Sequence, residues 1–364
     1  MNAREKNLSG WIVGVDGGGS KIAVAARLSG EEPAVPTSLD AARTWNFAGT
    51  GSAHPSNWHA AQQHLTDALR TVASQLQANG PPLRHVVFAL AGAGRPEERQ
   101  RVLDWARSLP ELSACASLDC VGDIEPMIDY RQADGGGVSI AVILGTGSIV
   151  AARDAHGRIV RAGGWGPNLG DECSGGALGV AALRKVVEWF DTGDNFERAS
   201  HLVREVLQEL ATGRAQHLSN TQAIELDLLN RESLSSMLIR TAADRTAAAK
   251  LAHVVIELAL ESADNEALNL LQPHLERLAW QIEQVLRRTF GDRPLHQLHE
   301  FEIMLGGGLA AHHPALQLAI IAACRARGLP TARALIIDPL LAVLRFAMLR
   351  STTSVSSVPP GNGR

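Results

Sequence analysis

Cysteine is scarce in this chain, and its four cysteines, Cys115, Cys120, Cys173 and Cys324, form no C-x-x-C pair. Disulfide frameworks belong to small, cysteine-dense secreted domains, and structural zinc sites need closely spaced cysteine or histidine ligands. The sequence therefore predicts neither a disulfide framework nor a zinc site. A reducing compartment, the cytoplasm, is the expected location.

Long apolar runs and an excess of positive charge are also missing. No stretch of about 18 apolar residues occurs, and residues 1–10 lack the apolar segment of a signal peptide. The 34 Lys and Arg are outnumbered by 38 Asp and Glu. We therefore expect no membrane span, and no nucleic-acid partner because such a partner calls for a basic domain or stripe.

The length of 364 residues exceeds one ordinary core, so two domains are expected. Strand and helix patterns alternate along the chain, which is typical of an α/β lobe. We predict an N-terminal α/β lobe over residues 1–120 and a C-terminal α/β lobe with a helical region over residues 121–350. A tail rich in Ser, Pro and Gly, residues 351–364, is expected to be disordered.

One local pattern occurs twice. Residues 12–25 and 140–152 each contain an apolar run, a Gly-rich turn and a second apolar run, which predicts two β-hairpins. Successive N–H groups at such a tip can form a concave site for an anion. One tip in each lobe could together hold a polyphosphate, and this repeat is the strongest functional signal in the sequence.

The first tip, residues 16–21, reads Asp-Gly-Gly-Gly-Ser-Lys. The spacing of a P-loop is absent. The third glycine of a dinucleotide fingerprint is missing, and a strand pattern rather than a helix follows. What remains is a hairpin-type phosphate site, with Ser20 bonding a phosphate oxygen and Asp16 holding Mg²⁺ directly or through water. The alternative is a tight turn without a ligand.

A third glycine cluster, residues 306–308, ends a predicted strand over residues 302–305 and precedes a helix pattern. Glycines allow another surface to approach the backbone closely. An adenine or ribose could lie there, and the alternative is a simple connecting loop.

Asp123 ends a predicted strand that begins at Leu118. Ligands of open α/β sheets gather at the carboxyl ends of strands, and a carboxylate there can accept the proton of an attacking hydroxyl. The alternative role is a helix N-cap. Glu125 and Asp129 are nearby alternative acids.

Residues 163–172, Gly-Gly-Trp-Gly-Pro-Asn-Leu-Gly-Asp-Glu, form a loop too rich in Gly and polar groups to pack a core. Its backbone and carboxylate groups suit a polar ligand such as a sugar. The alternative is a turn in which Asp171 caps the helix that follows from Ser174, and the two roles can coexist. Cys173 is expected to be a small buried residue rather than a nucleophile.

These motifs, in this order, resemble those of the N-acetylglucosamine kinases. They also resemble the wider ATPase group that holds glucosamine kinases and the activators of benzoyl-CoA reductase and 2-hydroxyglutaryl-CoA dehydratase, within the sugar kinase/Hsp70/actin superfamily. The resemblance runs over residues 11–349. It implies a two-lobed, actin-like ATPase fold of the ribonuclease H-like type, with ATP and Mg²⁺ as cofactors and a small-molecule amino sugar as substrate. It also allows a homodimer.

By position, the resemblance implies nucleotide contacts at the three glycine turns, namely at Gly17, Gly18, Gly19, Ser20, Lys21, Gly145, Thr146, Gly147, Gly307 and Gly308. It implies sugar contacts at Asn57, Asp123, Ser148, Gly164, Trp165, Gly166, Pro167, Asn168 and Asp171. Asp123 would be the catalytic base, and Asp16 would serve Mg²⁺.

Several residues depart from the family pattern. Ser20 stands in place of the usual Thr, Ile149 in place of a polar sugar contact, and Cys173 in place of a Gly. The phosphate chemistry is retained and the sugar stays open. The leading expectation is a kinase that moves the γ-phosphoryl group of ATP to a hydroxyl, the 6-hydroxyl, of an amino sugar. The alternatives are an ATPase that activates a partner redox enzyme and a catalytically silent sugar sensor.

Overall fold

The computed structural model describes residues 10–31, 35–78, 80–130, 138–166, 169–193, 196–212, 231–291 and 295–353. The chain divides into two compact units. Unit 1 comprises residues 1–135 and 337–364, and unit 2 comprises residues 136–336. The part of the predicted tail beyond Thr353 lies outside the described residues.

The elements of unit 1 are β1 (Trp11–Gly17), β2 (Lys21–Leu28), β3 (Arg43–Ala48), α1 (Trp58–Gln77), β4 (Leu83–Leu90), α2 (Pro96–Arg107), β5 (Ser117–Gly122) and α3 (Glu125–Asp129). Those of unit 2 are β6 (Ser139–Leu144), β7 (Ser148–Arg153), β8 (Ile159–Gly163), α4 (Gly175–Thr192), α5 (His201–Thr212), α6 (Arg231–Ala243), α7 (Arg245–Lys250), α8 (Ala252–Leu260), α9 (Asn265–Phe290), β9 (Glu300–Gly306), α10 (Gly308–His312), α11 (Pro314–Ala326) and β10 (Thr331–Ile336). The chain then returns to unit 1 as α12 (Pro339–Thr353).

Each unit contains a five-stranded sheet, and the two sheets have the same topology. The strand orders are β3-β2-β1-β4-β5 and β8-β7-β6-β9-β10. In each, the first three strands of the unit are antiparallel neighbours, and the last two run parallel to the first. Both predicted hairpins are therefore confirmed, and the sequence repeat is a repeat of the whole sheet.

The central strand β1 is apolar because both of its faces are covered by helices. Val13 and Val15 face the cluster that includes the buried side of α1. Ile12 belongs to the cluster formed with Val343 and Leu344 of α12 on the other face. This packing fixes the end of β1, where the first hairpin turn begins.

The division between the units differs from the predicted lobes. Unit 1 extends to residue 135 rather than 120, and it also includes α12, which the predicted C-terminal lobe contained. The physical reason is the packing of α12 on β1, β2 and β4. A Cβ at Gly14 would lie 2.9 Å from Val343 Cγ1, so this helix crosses β1 at close range.

The helical region of unit 2 packs against its sheet through α9, which contacts β7 and β8, while α4 packs on α7 and α8. This agrees with the prediction of a mainly helical stretch after residue 174. Among the described residues, no helix is both long enough and apolar enough to cross a lipid bilayer.

Candidate functional site

The first hairpin turn joins β1 to β2 and presents backbone N–H groups. The carbonyls of Gly17, Gly18 and Ser20 accept backbone hydrogen bonds from neighbouring segments of unit 1 at 2.8 to 3.2 Å. Within the described residues, the N–H groups of Gly19 and Ser20 form no backbone hydrogen bond. The carbonyls of the turn are thus used by neighbouring backbone N–H groups, and the N–H groups of Gly19 and Ser20 are left for an anion.

The glycines of this turn differ in what they require. A Cβ at Gly17 would lie 2.5 Å from Leu90 Cδ2 and 2.8 Å from the Gly51 oxygen, whereas nothing lies within 4 Å of a Cβ at Gly19. Gly17 therefore allows close packing below the turn, and Gly19 leaves open space above it. Ser20 and Lys21 are exposed beside that space.

Asp16, the residue before the turn, lines a cavity of about 260 Å³ that Lys21, Asp40 and Asp338 also line. Burial, together with the nearby carboxylates of Asp123 and Asp338, raises the pKa of Asp16 to about 7, although Lys21 opposes the shift. Negative charge is therefore costly at this point of unit 1, and a bound cation would favour the ionised form.

Asp338 was not among the predicted site residues. It follows β10 as Asp123 follows β5, so the two acids occupy equivalent positions after the fifth strand of each sheet. One oxygen of Asp338 accepts a hydrogen bond from Leu340 N at 2.8 Å and caps the start of α12. The available signal was an acid just after the largely apolar stretch of residues 331–337, a pattern similar to the one that singled out Asp123.

The residues at Asp16 fit a magnesium ion of the kind that accompanies a nucleotide. Mg²⁺ is usually held by one or two carboxylates together with water and phosphate oxygens. Within the described part of the chain, no three His, Cys, Asp or Glu side chains lie close enough to hold a metal by themselves. Asp16 and Asp338 line the same cavity, and the pKa of Asp16 is raised. These carboxylates suit Mg²⁺, which takes its remaining ligands from water and phosphate oxygens.

Asp123 lies directly after β5 and is half-buried. Burial raises the pKa of Asp123 to about 6, against the lowering effect of hydrogen bonds from the backbone of Ile124 and of Asp123 itself. The N-cap of α3 is Ile124, and no side chain caps that helix. The N-cap alternative for Asp123 is therefore wrong, although its carboxylate accepts hydrogen bonds from the backbone N–H groups beside the start of α3.

Asn57 lies in unit 1 immediately before α1. It is exposed and does not cap the helix with its side chain. Its amide oxygen accepts a hydrogen bond from the Ser56 hydroxyl at 3.3 Å. Its contact with a sugar stays a prediction.

The second hairpin turn, residues 145–147, joins β6 to β7 and has the same polarity as the first. The carbonyls of Gly145 and Thr146 accept hydrogen bonds from the first two amides of α4, at 2.8 and 3.1 Å, and Gly147 O accepts from Gly145 N at 2.9 Å. In the described part of unit 2, the N–H groups of Thr146 and Gly147 form no backbone hydrogen bond. Both turns therefore present donors rather than acceptors.

Ser148 and Gly307 make close contacts beside this second turn. Ser148 is buried, and its hydroxyl donates to the Glu172 carbonyl at 2.7 Å. Gly307 has a φ of +93°, and a Cβ there would collide with the Leu144 carbonyl. Gly308 begins α10 with open space around it, as a nucleotide contact would require.

The predicted sugar loop follows β8 in unit 2. Gly164 and Gly166 have φ values of +66° and +88°, a backbone region that favours glycine. Trp165 is 64% exposed, and the Arg161 guanidinium lies 5.2 Å from its ring centroid. Pro167 and Asn168 lie outside the described residues.

Asp171 is buried, has a φ of +63°, and forms a 2.5 Å ion pair with Arg245. Burial raises the pKa of Asp171, while Arg245 and hydrogen bonds from the backbone of Ser148 and Gly166 oppose the rise. The Ser174 side chain caps α4 by accepting from Ala177 N at 3.1 Å. The cap alternative for Asp171 is therefore wrong, and Arg245 is a residue of this site that the sequence reasoning missed.

Cys173 lies next to this loop and is fully buried with a φ of +61°. Burial raises the pKa of its thiol to about 12, so the thiolate of a nucleophile is disfavoured, as expected. His274 is near in space, but its Nδ1 accepts from the Cys173 backbone N–H at 3.3 Å. The positive φ explains why a glycine suits this position.

Comparison with known proteins gives consistent results. The model of the BadF/BadG/BcrA/BcrD ATPase family matches residues 13–322. An N-acetylmuramic acid/N-acetylglucosamine kinase from Clostridium acetobutylicum is 29% identical over 185 residues, which cover 50% of this chain and 55% of that kinase. The matched region thus spans about half the length of this curated relative.

Two crystal structures have a similar fold. Both are provisionally assigned as N-acetylglucosamine kinases. The protein from Chromobacterium violaceum has 23% identity and a TM-score of 0.59, with 94% of this chain and 99% of that chain covered. The one from Porphyromonas gingivalis has 17% identity and a TM-score of 0.61, with 93% and 99% covered. The predicted α/β, actin-like ATPase fold class is confirmed.

Proposed function

Because the chain belongs to the BadF/BadG/BcrA/BcrD ATPase family, we propose that it is an ATP-dependent sugar kinase. Its substrate in this proposal is an amino sugar, N-acetylglucosamine or glucosamine, phosphorylated at the 6-hydroxyl. The N-acetylmuramic acid/N-acetylglucosamine kinase among its relatives supports a sugar of this class.

The observation that carries the proposal is the state of Asp123. A general base works best when its pKa lies near the operating pH, and burial raises the pKa of Asp123 to about 6. The side chain is not used as a helix cap. In the proposed reaction it binds the sugar hydroxyl and accepts the hydroxyl proton as the oxygen attacks the γ-phosphorus.

The nucleotide is proposed to use the two hairpin turns. Ser20 and Thr146 each add a hydroxyl to a turn in which two successive amides, those of residues 19–20 and of residues 146–147, have no backbone acceptor within the described residues. Donors of this kind stabilise the negative charge on phosphate oxygens. Lys21 adds a positive charge beside the first turn, and Gly307 and Gly308 are proposed to lie against the nucleoside.

Asp16 is the residue proposed to hold Mg²⁺, with Asp338 on the same cavity. When bound with the nucleotide, the ion neutralises charge on the transferring phosphoryl group. Protonation of Asp16 competes with this role because its pKa is raised to about 7.

The sugar is proposed to contact Asn57 and Asp123 from unit 1. It is also proposed to contact the loop around Trp165 and Asp171, in which Gly164 and Gly166 have positive φ. A loop that hydrogen-bonds sugar hydroxyls rejects analogues that lack them more strongly than an apolar pocket rejects size variants. Specificity among hexosamines is therefore expected to depend on this loop.

The test is a panel of hexosamines and hexoses incubated with Mg-ATP, with ADP release and the phosphorylated product measured. The proposal expects sugar-dependent ADP release, with the product phosphate on the 6-oxygen by phosphorus NMR. The Asp123→Asn variant is the matched control and should release no ADP above background. ADP release that is independent of every sugar would reject the kinase and favour the ATPase that activates a redox partner.

A further inference from the structure

We propose that Arg245, held in place by Asp171, is a substrate contact that binds the terminal phosphates of the nucleotide at the second hairpin turn. The proposal rests on the proposed function only in taking ATP as the nucleotide. It deepens that function by adding a guanidinium to a turn that otherwise offers backbone amides and the Thr146 hydroxyl.

The first observation is the position of the guanidinium above the turn. A Cβ built on Gly147 would lie 3.1 Å from Arg245 Nη2 and 3.0 Å from Asp171 Oδ2. The charged groups of both residues thus lie beside the Gly147 Cα, on the side where a side chain at this position would project. Glycine at position 147 leaves the space that they occupy.

The second observation is how the donors of Arg245 are used. One amino group meets the Asp171 carboxylate at 2.5 Å, and a guanidinium has five N–H donors in all. Within the described part of unit 2, Asp171 is the acceptor that Arg245 binds. The side chain is 43% exposed, so it is accessible to a bound anion.

The third observation concerns Asp171, which is 5% exposed in its side chain. Its carboxylate accepts from the backbone of Ser148 and Gly166 as well as from Arg245. These three donors hold the carboxylate in one position, so that it serves as an anchor for Arg245, and about one of its roughly four acceptor sites is left for a sugar hydroxyl. The charge and fixed position of Asp171 orient the guanidinium of Arg245, in the way that supporting hydrogen-bond partners commonly orient functional side chains.

The helix that carries Arg245 is itself held tightly. A Cβ at Gly179 of α4 would collide with the Ala248 carbonyl of α7, and one at Gly175 would lie 2.9 Å from Ala249 Cβ. Gly175 and Gly176 also bind the carbonyls of the second turn. The turn, α4 and α7 therefore form one packed group that fixes Arg245 relative to the turn.

Guanidinium groups match phosphate geometry because they donate paired, charge-assisted hydrogen bonds. The anion that suits a site of amides, a hydroxyl and a guanidinium is a phosphate with two or three free oxygens. This chemistry selects the terminal phosphates of ADP or ATP rather than the amino sugar, which carries no negative charge as N-acetylglucosamine or as glucosamine.

The test uses calorimetric titration of the full chain with Mg²⁺ and a non-hydrolysable ATP analogue. Arg245→Ala should lower the affinity for the analogue roughly ten- to hundredfold and should leave AMP affinity unchanged. Arg245→Lys should recover part of the loss, because it restores the charge without the planar fork.

The matched control is Arg158→Ala. Arg158 forms an ion pair of 2.9 Å with Asp154 at the opposite end of the β7–β8 hairpin, so the same charge is removed away from the turn. This variant should bind the analogue as the wild type does. If Arg245→Ala also binds it as the wild type does, the inference is overturned.

Loss of Arg245 leaves Asp171 buried without its cation, and the variant could unfold for that reason. The double variant Arg245→Gln/Asp171→Asn removes both charges, keeps the size of Asp171 and a polar side chain at position 245, and should show the same loss of analogue affinity. Full affinity in a folded double variant rejects the inference. A wild-type chain that binds the analogue through Arg245 but phosphorylates no sugar rejects the proposed function and leaves this inference standing.

Discussion

Arg99 forms a 2.5 Å ion pair with the buried carboxylate of Glu125, and the Gly122 backbone N–H donates to the same oxygen at 2.9 Å. Glu125 thereby ties the end of β5 to α2 and α3. Asp123, two residues earlier, forms no ion pair among the described residues. Of these two acids, Glu125 is committed to an ion pair and Asp123 is the proposed base.

Asp123→Asn should keep the fold and the affinity for ATP while turnover falls. Loss of a general base alone costs about 10²–10⁴ in rate, and loss of the group that positions the hydroxyl adds to this. Steady-state kinetics with the sugar identified by the panel, together with nucleotide titration, measure both effects. Turnover within an order of magnitude of the wild type would reject Asp123 as the base.

Glu125→Gln is the comparison for Asp123→Asn. It removes the negative charge that faces Arg99, whose side chain is 31% exposed, and glutamine keeps one acceptor oxygen, so we expect a loss of about 1–2 kcal/mol. We expect a lower melting temperature, with turnover retained in the fraction that stays folded. If Glu125→Gln instead abolishes turnover without loss of stability, Glu125 is the base.

Ser20→Ala and Thr146→Ala should each raise the KM for ATP more than the KM for sugar. Each hydroxyl is proposed to donate to a phosphate oxygen, and such a charge-assisted bond contributes roughly 1.5–3 kcal/mol, or about tenfold or more in affinity. Thr66→Ala is a suitable control, because the Thr66 hydroxyl donates to the Gln62 carbonyl within α1 at 2.7 Å. An unchanged KM for ATP in both site variants would remove the paired turns from the nucleotide site.

Asp16 should make stability fall as the pH rises. Its pKa is raised from 3.8 to about 7 in the folded chain, so the folded state binds the proton more tightly than the unfolded state. That contribution to stability is complete below the unfolded pKa and is lost as the pH rises through about 7. Asp16→Asn should therefore raise the melting temperature at pH 8 and have little effect at pH 4.

Differential scanning calorimetry across this pH range checks the sign. Asp154→Asn is the opposite control, since hydrogen bonds from the Arg158 backbone hold the pKa of Asp154 below its usual value. That variant should gain nothing as the pH rises. Added Mg²⁺ and nucleotide should stabilise the wild type at pH 8 and stabilise Asp16→Asn less.

Cys173→Gly should leave turnover unchanged and alter the free energy of unfolding by less than about 1 kcal/mol. Glycine adopts the left-handed backbone conformation without strain, which stabilises the folded state by about 1–2 kcal/mol. This gain offsets the stability lost with a small buried side chain. Cys120→Gly is the matched control, because Cys120 is also buried but lies within β5 at an ordinary φ. Denaturant unfolding should show a clear loss of stability for Cys120→Gly alone, and an equal loss for both would contradict the role assigned to φ.

Much of each sheet could be predicted from the sequence. The hairpins β1–β2 and β6–β7 and the buried strand β4 are apolar runs bounded by glycine turns, and this pattern is local. The strands β3 and β8 were not predicted. Both lie at sheet edges and are half exposed, so burial imposes little periodicity on their sequences.

The candidate site was predicted only where it is local. Asp16 and Asp123 could be identified because each adjoins a strand end or a turn within a few residues. The partner of Asp171 could not, since Arg245 lies 74 residues away and reaches it through the packing of α7 on α4. The Glu125–Arg99 pair, which decides between two acids, is likewise a tertiary contact between α2 and the end of β5.

The packing of α12 on β1 has a consequence for synthesis on the ribosome. Unit 1 begins the chain, yet the helix that covers one face of its sheet follows the whole of residues 136–336. At ~5–20 residues per second, translation of this intervening unit lasts on the order of 10–40 s. Until then the apolar face that includes Ile12, Val87 and Ala89 has no cover from α12, so the unit that is synthesised first is completed last.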